Sequence, residues 1–164
     1  MSRTQEQPLV LLVSLVIAIF LTLLPLPDLL APLRPYWVAL VFIYWAMEVS
    51  DPLPLGAAFA VGLLLDLLTA SLMGFHALSL LVIVYLVRRF RARIRFFPPW
   101  QQALAVLALL VNDRIIMLWM LLLLGEPLPT WRYWLAPLVG MALWPWIFLA
   151  LDQARLARRQ AERR

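Results

Sequence analysis

The chain of 164 residues is 65% hydrophobic and carries a formal net charge of +5 at pH 7. Long apolar runs at this length predict one integral membrane domain and exclude a soluble fold, so the positive charge bears on membrane orientation rather than on nucleic-acid binding. The chain has no cysteine, which excludes disulfides, thiolate metal sites and cysteine nucleophiles.

Breaker residues divide the apolar sequence into six predicted transmembrane helices, at about 8–26, 36–49, 53–69, 73–88, 101–124 and 133–151. The first run ends in a proline-rich segment without a small-residue cleavage pattern, so we interpret it as a retained helix and not a signal peptide. A run of about 14 to 17 residues covers only about 21 to 26 Å, less than a hydrocarbon core of about 30 Å. We therefore expect the short second, third and fourth helices to be shielded by neighbours or to thin the bilayer.

The expected fold class is thus an all-α integral membrane protein with about six transmembrane helices. Residues 1–151 would form one polytopic membrane domain with short loops, and residues 152–164 a basic cytoplasmic tail. Eleven of the 14 arginines lie at Arg3, between Arg88 and Arg95, or after Leu151. Basic residues are retained on the cytoplasmic side of spanning segments. Six spans place both termini on the side of the central arginines, so charge and parity together predict cytoplasmic termini.

The arginines after the fourth predicted helix form an inner basic face, made of Arg88, Arg89, Arg91, Arg93 and Arg95. Apolar residues recur between them at helical spacing, which predicts an interfacial helix or an extension of the fourth span. Each arginine near an anionic membrane surface contributes roughly 1 kcal/mol of binding. We interpret this face as a topology determinant and an anchor on anionic lipids. A docking surface for a cytoplasmic partner is the alternative.

Two predicted helices carry polar residues that are costly in a membrane unless they are paired or face a polar interior. Asp66 lies in the third helix, and Asn112, Asp113 and Arg114 interrupt the fifth. Both helices run in the same direction, and Asp66 and Arg114 each lie about 20 Å from the inner end. We predict a buried ion pair between Asp66 and Arg114, with the other two residues completing a structural polar core. A proton, ion or substrate pathway is the alternative.

The remaining polar residues and glycines are assigned structural roles. The spacing permits contact between His76 and Asp66 without requiring it, and a relay or metal role for this histidine is disfavoured. Glu48 is expected to be solvated or paired with cytoplasmic arginines. Gly62 can bring the third helix close to a neighbour, and Gly74 suits the tight turn into the fourth.

The sequence has no phosphate-binding loop, nucleophile elbow, metal-ligand cluster or serine–histidine–carboxylate pattern. We therefore predict a protein that is not an enzyme, with no catalytic residue, no metal site and no cofactor.

Five short segments, found in the expected order over nearly the whole chain, resemble the MreD family of rod shape-determining proteins. They are Arg34-Pro35-Tyr36-Trp37, residues 62–68, Gly74-Phe75-His76-Ala77-Leu78, residues 97–104 and Trp144-Pro145-Trp146. Asp66, Gly62 and Gly74 match the most characteristic stretch of the family. Ala70 stands where many relatives have glycine.

The resemblance implies a non-enzymatic component of the bacterial inner membrane that acts in cell elongation, rod shape and lateral peptidoglycan synthesis. It implies a direct partner, the single-span protein MreC, and a complex that includes the MreB filament, RodA and a penicillin-binding transpeptidase. A homodimer is left open. The resemblance also suggests a fold similar to the substrate-binding component of energy-coupling-factor transporters, so the rival function is a small-molecule-binding membrane component of a transporter. Fold analogy alone does not establish transport.

Overall fold

The computed structural model describes residues 7–27, 30–49 and 54–161. Within these ranges the chain forms six α-helices and no strand: α1 (Gln7–Leu23), α2 (Trp37–Glu48), α3 (Leu55–Leu68), α4 (Phe75–Ile94), α5 (Pro99–Leu123) and α6 (Leu135–Ala161). Short 3-10 helices, Ala31–Leu33 and Trp131–Trp134, precede α2 and α6. The prediction of an all-α protein with six helices is confirmed.

Two helices, α4 and α6, extend well beyond their predicted C-terminal ends. The fourth helix was expected to end near residue 88, but α4 runs to Ile94 and includes four of the five arginines of the inner basic face. The basic segment is therefore an extension of the fourth helix. Likewise α6 runs to Ala161, so residues 152–161 continue the last helix. Arg3, Arg163 and Arg164, on which the orientation prediction partly rests, lie outside the described residues.

Helix length and composition single out two segments that can cross a membrane, Pro99–Leu123 and Trp131–Ala157. Leu9–Leu23 and Leu55–Leu68 are apolar but shorter. Large apolar side chains cover the outer face of α1, where Leu12, Val16 and Phe20 are 56%, 63% and 66% exposed. A soluble monomer rarely exposes a continuous apolar face of this kind.

The short helix α2 lies at the centre of the bundle. It has 12 residues, which span only about 18 Å, and residues 38–47 are all buried. It packs against α1, α4, α5 and α6, and Trp45 Nε1 donates a hydrogen bond to Ser14 Oγ of α1 at 3.0 Å. A helix that is apolar on every side is typical of a protein core or a membrane span. The neighbours of α2 enclose it, which fits the expectation that short spans are shielded.

The other helices pack around α2 as a sequence of neighbours. α3 and α4 form an antiparallel hairpin, α5 packs on α4, and α6 packs on α5 and α2. The connection 69–74 between α3 and α4 and the two 3-10 helices lie at one end of the bundle, which we call the turn end. The end of α2, the arginines of α4 and the C-terminal part of α6 meet at the other, which we call the basic end.

Candidate functional site

Asp66 is the most heavily hydrogen-bonded side chain at the turn end. Its side chain is fully buried, and Oδ2 accepts the backbone N–H of Gly74 at 2.8 Å. Oδ1 accepts the Ser71 hydroxyl at 2.8 Å and the His76 backbone N–H at 2.9 Å, and it lies 2.8 Å from His76 Nδ1. We call Asp66, Ser71, Gly74 and His76 the Asp66 cluster.

The Asp66 cluster caps helix α4 from outside that helix. The first N–H groups of an α-helix have no partner within the helix, and a carboxylate there satisfies them and interacts favourably with the helix dipole. Gly74 occupies the N-cap position of α4 and has no side chain to do this. Asp66, near the C-terminal end of α3, supplies the carboxylate instead. Asp66 therefore accepts the free N–H groups at the start of α4 and holds α3 and α4 at a fixed angle.

Two residues with positive φ shape the connection between α3 and α4. Gly74 has φ +105° and no atom near its α-carbon that a Cβ would touch, so glycine is needed there for its backbone conformation. Ala70 has φ 50°, and the next residue, Ser71, donates its N–H to the Asp66 carbonyl at 3.0 Å. This is the Schellman pattern, in which the residue after the C-cap is usually glycine.

Gly62 lies where α3 and α4 approach most closely. A Cβ at Gly62 would lie 2.5 Å from the Ala77 backbone nitrogen and 2.8 Å from the His76 carbonyl carbon. Neither backbone atom can move without separating the helices. The small residue therefore permits the approach that places the start of α4 within reach of Asp66.

The predicted ion pair between Asp66 and Arg114 is wrong. The Asp66 carboxylate is directed at the start of α4, whereas the Arg114 guanidinium lies over the Tyr133 ring, 4.7 Å from its centroid. The Tyr133 hydroxyl donates to the Arg114 carbonyl oxygen at 3.0 Å. Matching depth along two helices places residues at the same level, but the direction of each side chain around its helix decides the partner.

The other predicted members of the polar core occupy separate positions on α5. Asp113 is buried and accepts a hydrogen bond from the buried hydroxyl of Ser79 on α4. Asn112 Nδ2 is buried, and none of the described residues forms a hydrogen bond with it. Asp66 thus contacts its own hairpin, and the hydrogen bond between Ser79 and Asp113 joins α4 to α5. The structural role predicted for the four residues together stays a prediction.

Tyr36, which precedes α2, completes the turn end. Its ring packs edge-on against His76 with centroids 5.7 Å apart, and its hydroxyl is buried. A tyrosine hydroxyl at this position can donate a hydrogen bond.

Glu48 organises the basic end. Arg155 of α6 donates to its carboxylate at 2.7 Å, and Arg95 lies 3.7 Å from its other oxygen. Arg91 Nε donates to the Met47 carbonyl at 2.8 Å, which satisfies an acceptor that the end of α2 leaves free. The expectation that Glu48 pairs with arginines is met, and these contacts hold the C-terminal ends of α2 and α4 against the C-terminal part of α6.

The Asp66 cluster lacks the geometry of a catalytic triad. A triad needs the nucleophile and the carboxylate on different nitrogens of the histidine. Here the Ser71 hydroxyl and the Asp66 carboxylate both approach His76 Nδ1, at 3.3 and 2.8 Å. Within the part of the chain that the structure covers, no three His, Asp or Glu side chains are grouped to hold a metal ion. The arrangement caps and braces a helical hairpin.

Sequence reasoning did not find Ser71 and Ser79, and it left the contact between Asp66 and His76 open. The sequence does carry a signal for the role of Asp66. A glycine at the N-cap has no side chain to accept the first N–H groups of its helix, so a carboxylate in the last turn of the preceding helix can accept them. The partner of Ser79 has no comparable local signal, because Asp113 lies 34 residues away.

Comparison with known proteins agrees with this membrane bundle. The profile of the MreD family, described as rod shape-determining protein MreD, matches residues 2–153. A rod shape-determining protein MreD from Haemophilus influenzae is 31% identical over 140 residues, which are 85% of this chain and 86% of that protein. No solved structure matches the chain. With a family match over nearly its whole length, the chain belongs to the MreD family of rod shape-determining membrane proteins.

Proposed function

We propose that the protein is a non-enzymatic scaffold of the bacterial cell-elongation complex, acting with MreC in rod shape and lateral peptidoglycan synthesis. Membership of the MreD family supports the role in cell shape. One observation supports the scaffold mechanism: both carboxylate oxygens of Asp66 accept hydrogen bonds from the turn between α3 and α4 and from the start of α4. Hydrogen bonds of this kind hold α3 and α4 in one arrangement, which supports a structural role for Asp66.

The scaffold works through a rigid unit and an apolar surface. The Asp66 cluster locks α3 to α4, Ser79 and Asp113 join α4 to α5, and Glu48 with Arg155 ties α6 to α2. The outer faces of these helices expose large apolar side chains, among them Leu67 at 71% and Leu123 at 82%. In a bilayer, association between helices depends on close packing and on few polar contacts. A preformed apolar surface suits a single-span partner such as MreC.

The proposed complex also contains MreB on the cytoplasmic side, and RodA with its penicillin-binding transpeptidase in the membrane. In this arrangement both termini and the basic end face the cytoplasm, as the arginine distribution favours. The absence of cysteine from the chain makes single-cysteine labelling a direct test of orientation. Leu128→Cys, before α6, should react with an impermeant maleimide on intact cells. Arg93→Cys, on α4, should react only after permeabilisation, and the reverse pattern would contradict the orientation.

The contact with MreC is tested by disulfide cross-linking. Single cysteines at exposed positions on α1, α3, α5 and α6 (Val16, Leu67, Leu123 and Leu149) are paired with a series of cysteines along the MreC span. We expect cross-links from one of these faces, with a helical repeat along MreC. A buried position such as Ala39 is the matched negative control. No cross-link from any face, or equal cross-linking from all four, would contradict a defined MreC interface.

One observation favours the rival function of small-molecule binding. Asn112 Nδ2 is buried and has no hydrogen-bond partner among the residues that the structure describes, whereas buried donors in native proteins are nearly always hydrogen-bonded. Native mass spectrometry of the gently solubilised protein separates the two functions. If the protein is a scaffold, we expect no small molecule bound to it in a stoichiometric amount. A retained molecule that disappears in Asn112→Leu would establish ligand binding.

A further inference from the structure

Asn112 is a polar residue in the middle of a helix that is long and apolar enough to cross a membrane. It lies 13 residues after Pro99, the first residue of α5, and 11 before Leu123, the last. At helical rise the amide is therefore roughly 17 to 20 Å from either end of the helix. Asn112 is half-buried, and its Nδ2 forms no hydrogen bond with any described residue. An amide at this depth needs a hydrogen-bond partner within the membrane.

Asn112 belongs to a row of residues along one side of α5, which we call the α5 seam. The members of the row are spaced alternately by three and four residues, which keeps them on one side of a helix. They are Ala105, Ala108, Asn112, Ile115, Trp119 and Leu122. Ala108 is exposed, and Ile115, Trp119 and Leu122 are 40%, 64% and 49% exposed. The α5 seam is therefore turned away from the bundle.

Contact with lipid explains the apolar residues of the α5 seam but not its asparagine. Acyl chains neither donate nor accept a hydrogen bond, whereas asparagine side chains in membrane bundles form hydrogen bonds with a neighbouring helix. Small residues at such an interface let two helices approach closely. Ala105 and Ala108 are the two seam residues before Asn112, and larger side chains follow it. A second helix can therefore approach α5 most closely beside Ala108 and Asn112.

A second copy of the chain is the partner that this amide suits. Two copies in one membrane have the same orientation, so the twofold axis of a contact between them lies along the membrane normal and pairs residues of equal depth. Asn112 then meets Asn112 of the second copy. An amide has both an acceptor oxygen and donor N–H groups, and its terminal torsion is broad, so two amides can turn toward each other and exchange hydrogen bonds. The helix of a different protein would need a polar side chain of its own at this depth.

We propose that the protein forms a parallel homodimer through the α5 seam, with the two Asn112 amides hydrogen-bonded to each other. In parallel coiled coils a single asparagine at such a position fixes the register and the number of helices. Asn112 sets the register of the α5 pair in the same way. This inference goes beyond the proposed scaffold function and does not depend on MreC.

The test measures association of the full-length protein in phospholipid vesicles without MreC. The chain has no cysteine, so Leu128→Cys takes a donor dye in one preparation and an acceptor dye in another, and energy transfer is followed as lipid dilutes the protein. Asn112→Leu replaces the amide by an apolar side chain. We expect it to raise the dissociation constant of the dimer about tenfold, the effect of losing hydrogen bonds between helices in a membrane. Asn112→Gln keeps both donor and acceptor and should raise the constant less than about threefold.

Cysteine cross-linking tests the α5 seam with Asn112 in place. In a parallel dimer the two thiols of Ala108→Cys face each other, so this variant should form a disulfide-linked dimer on oxidation. Val16→Cys, on the exposed face of α1 and also near the middle of its helix, is the matched control and should stay monomeric.

Melting temperatures report whether each variant is folded. Energy transfer no greater than that of randomly distributed monomers, an unchanged dissociation constant in Asn112→Leu, or equal cross-linking of the two cysteine variants would overturn the proposal. So would a monomer that retains a small molecule which Asn112→Leu loses, because the amide would then belong to a ligand site.

Discussion

Replacing Asp66 by asparagine tests the cap on α4 with almost no change in side-chain volume. If the amide oxygen takes the position of Oδ1, it keeps its contacts with Ser71 and His76 as neutral hydrogen bonds. In the unaltered protein the Gly74 N–H donates to Oδ2 of Asp66. In the variant the amide NH₂ takes the place of Oδ2 and faces that N–H. Two buried donors facing each other cost about 1 to 3 kcal/mol, and the loss of charge assistance adds about 1 kcal/mol. We expect a loss of about 3 kcal/mol.

The assay is thermal unfolding in a mild detergent. For a chain of this size 1 kcal/mol shifts the melting temperature by about 2 to 4 °C, so Asp66→Asn should lower it by about 6 to 12 °C. Asp113→Asn is the matched control, since Asp113 is also buried but accepts its hydrogen bond from the Ser79 hydroxyl, and an amide oxygen can accept the same bond. Its melting temperature should fall by less than about 4 °C. Equal shifts in the two variants would refute the capping argument.

Three further changes test the packing and the turns. Gly62→Ala should lower the free energy of unfolding by about 1 to 3 kcal/mol, because the added Cβ meets the backbone of α4. Gly56→Ala, with open space around it, is the control and should be neutral or stabilising. Equal melting temperatures of the two variants would contradict the close approach of α3 and α4. Ala70→Gly removes the side chain from a residue in the left-handed backbone conformation and should stabilise the folded protein by about 1 kcal/mol. A lower melting temperature of this variant would show that Ala70 is not strained. Glu48→Gln removes the negative charge that pairs with Arg95 and Arg155, so the end of α6 should be cleaved faster by a protease. An unchanged cleavage rate would refute the idea that Glu48 anchors α6.

The helices could be predicted from the sequence because apolar runs and breakers determine them locally. Their ends were less well predicted. The arginines after residue 88 stop the apolar run but favour helix as much as leucine does, so α4 continues where hydropathy alone predicts an end. α6 passes its predicted end near residue 151 in the same way.

The polar contacts were predicted less well because they depend on directions around the helix axes. Depth along α3 and α5 could be counted in residues, and it suggested Arg114 as the partner of Asp66. The partner is instead set by the turn that follows α3, where Ala70 and Gly74 bring the start of α4 back onto the carboxylate. That turn depends on two backbone conformations with positive φ, of which the sequence marks only the one with glycine.

The measurement that tests the scaffold role most directly is the mass and stoichiometry of the protein co-expressed with MreC and purified together in lipid nanodiscs. We expect a stable complex in a fixed ratio, without a stoichiometric small molecule. A folded protein that remains alone in the presence of MreC and retains a small molecule would contradict it.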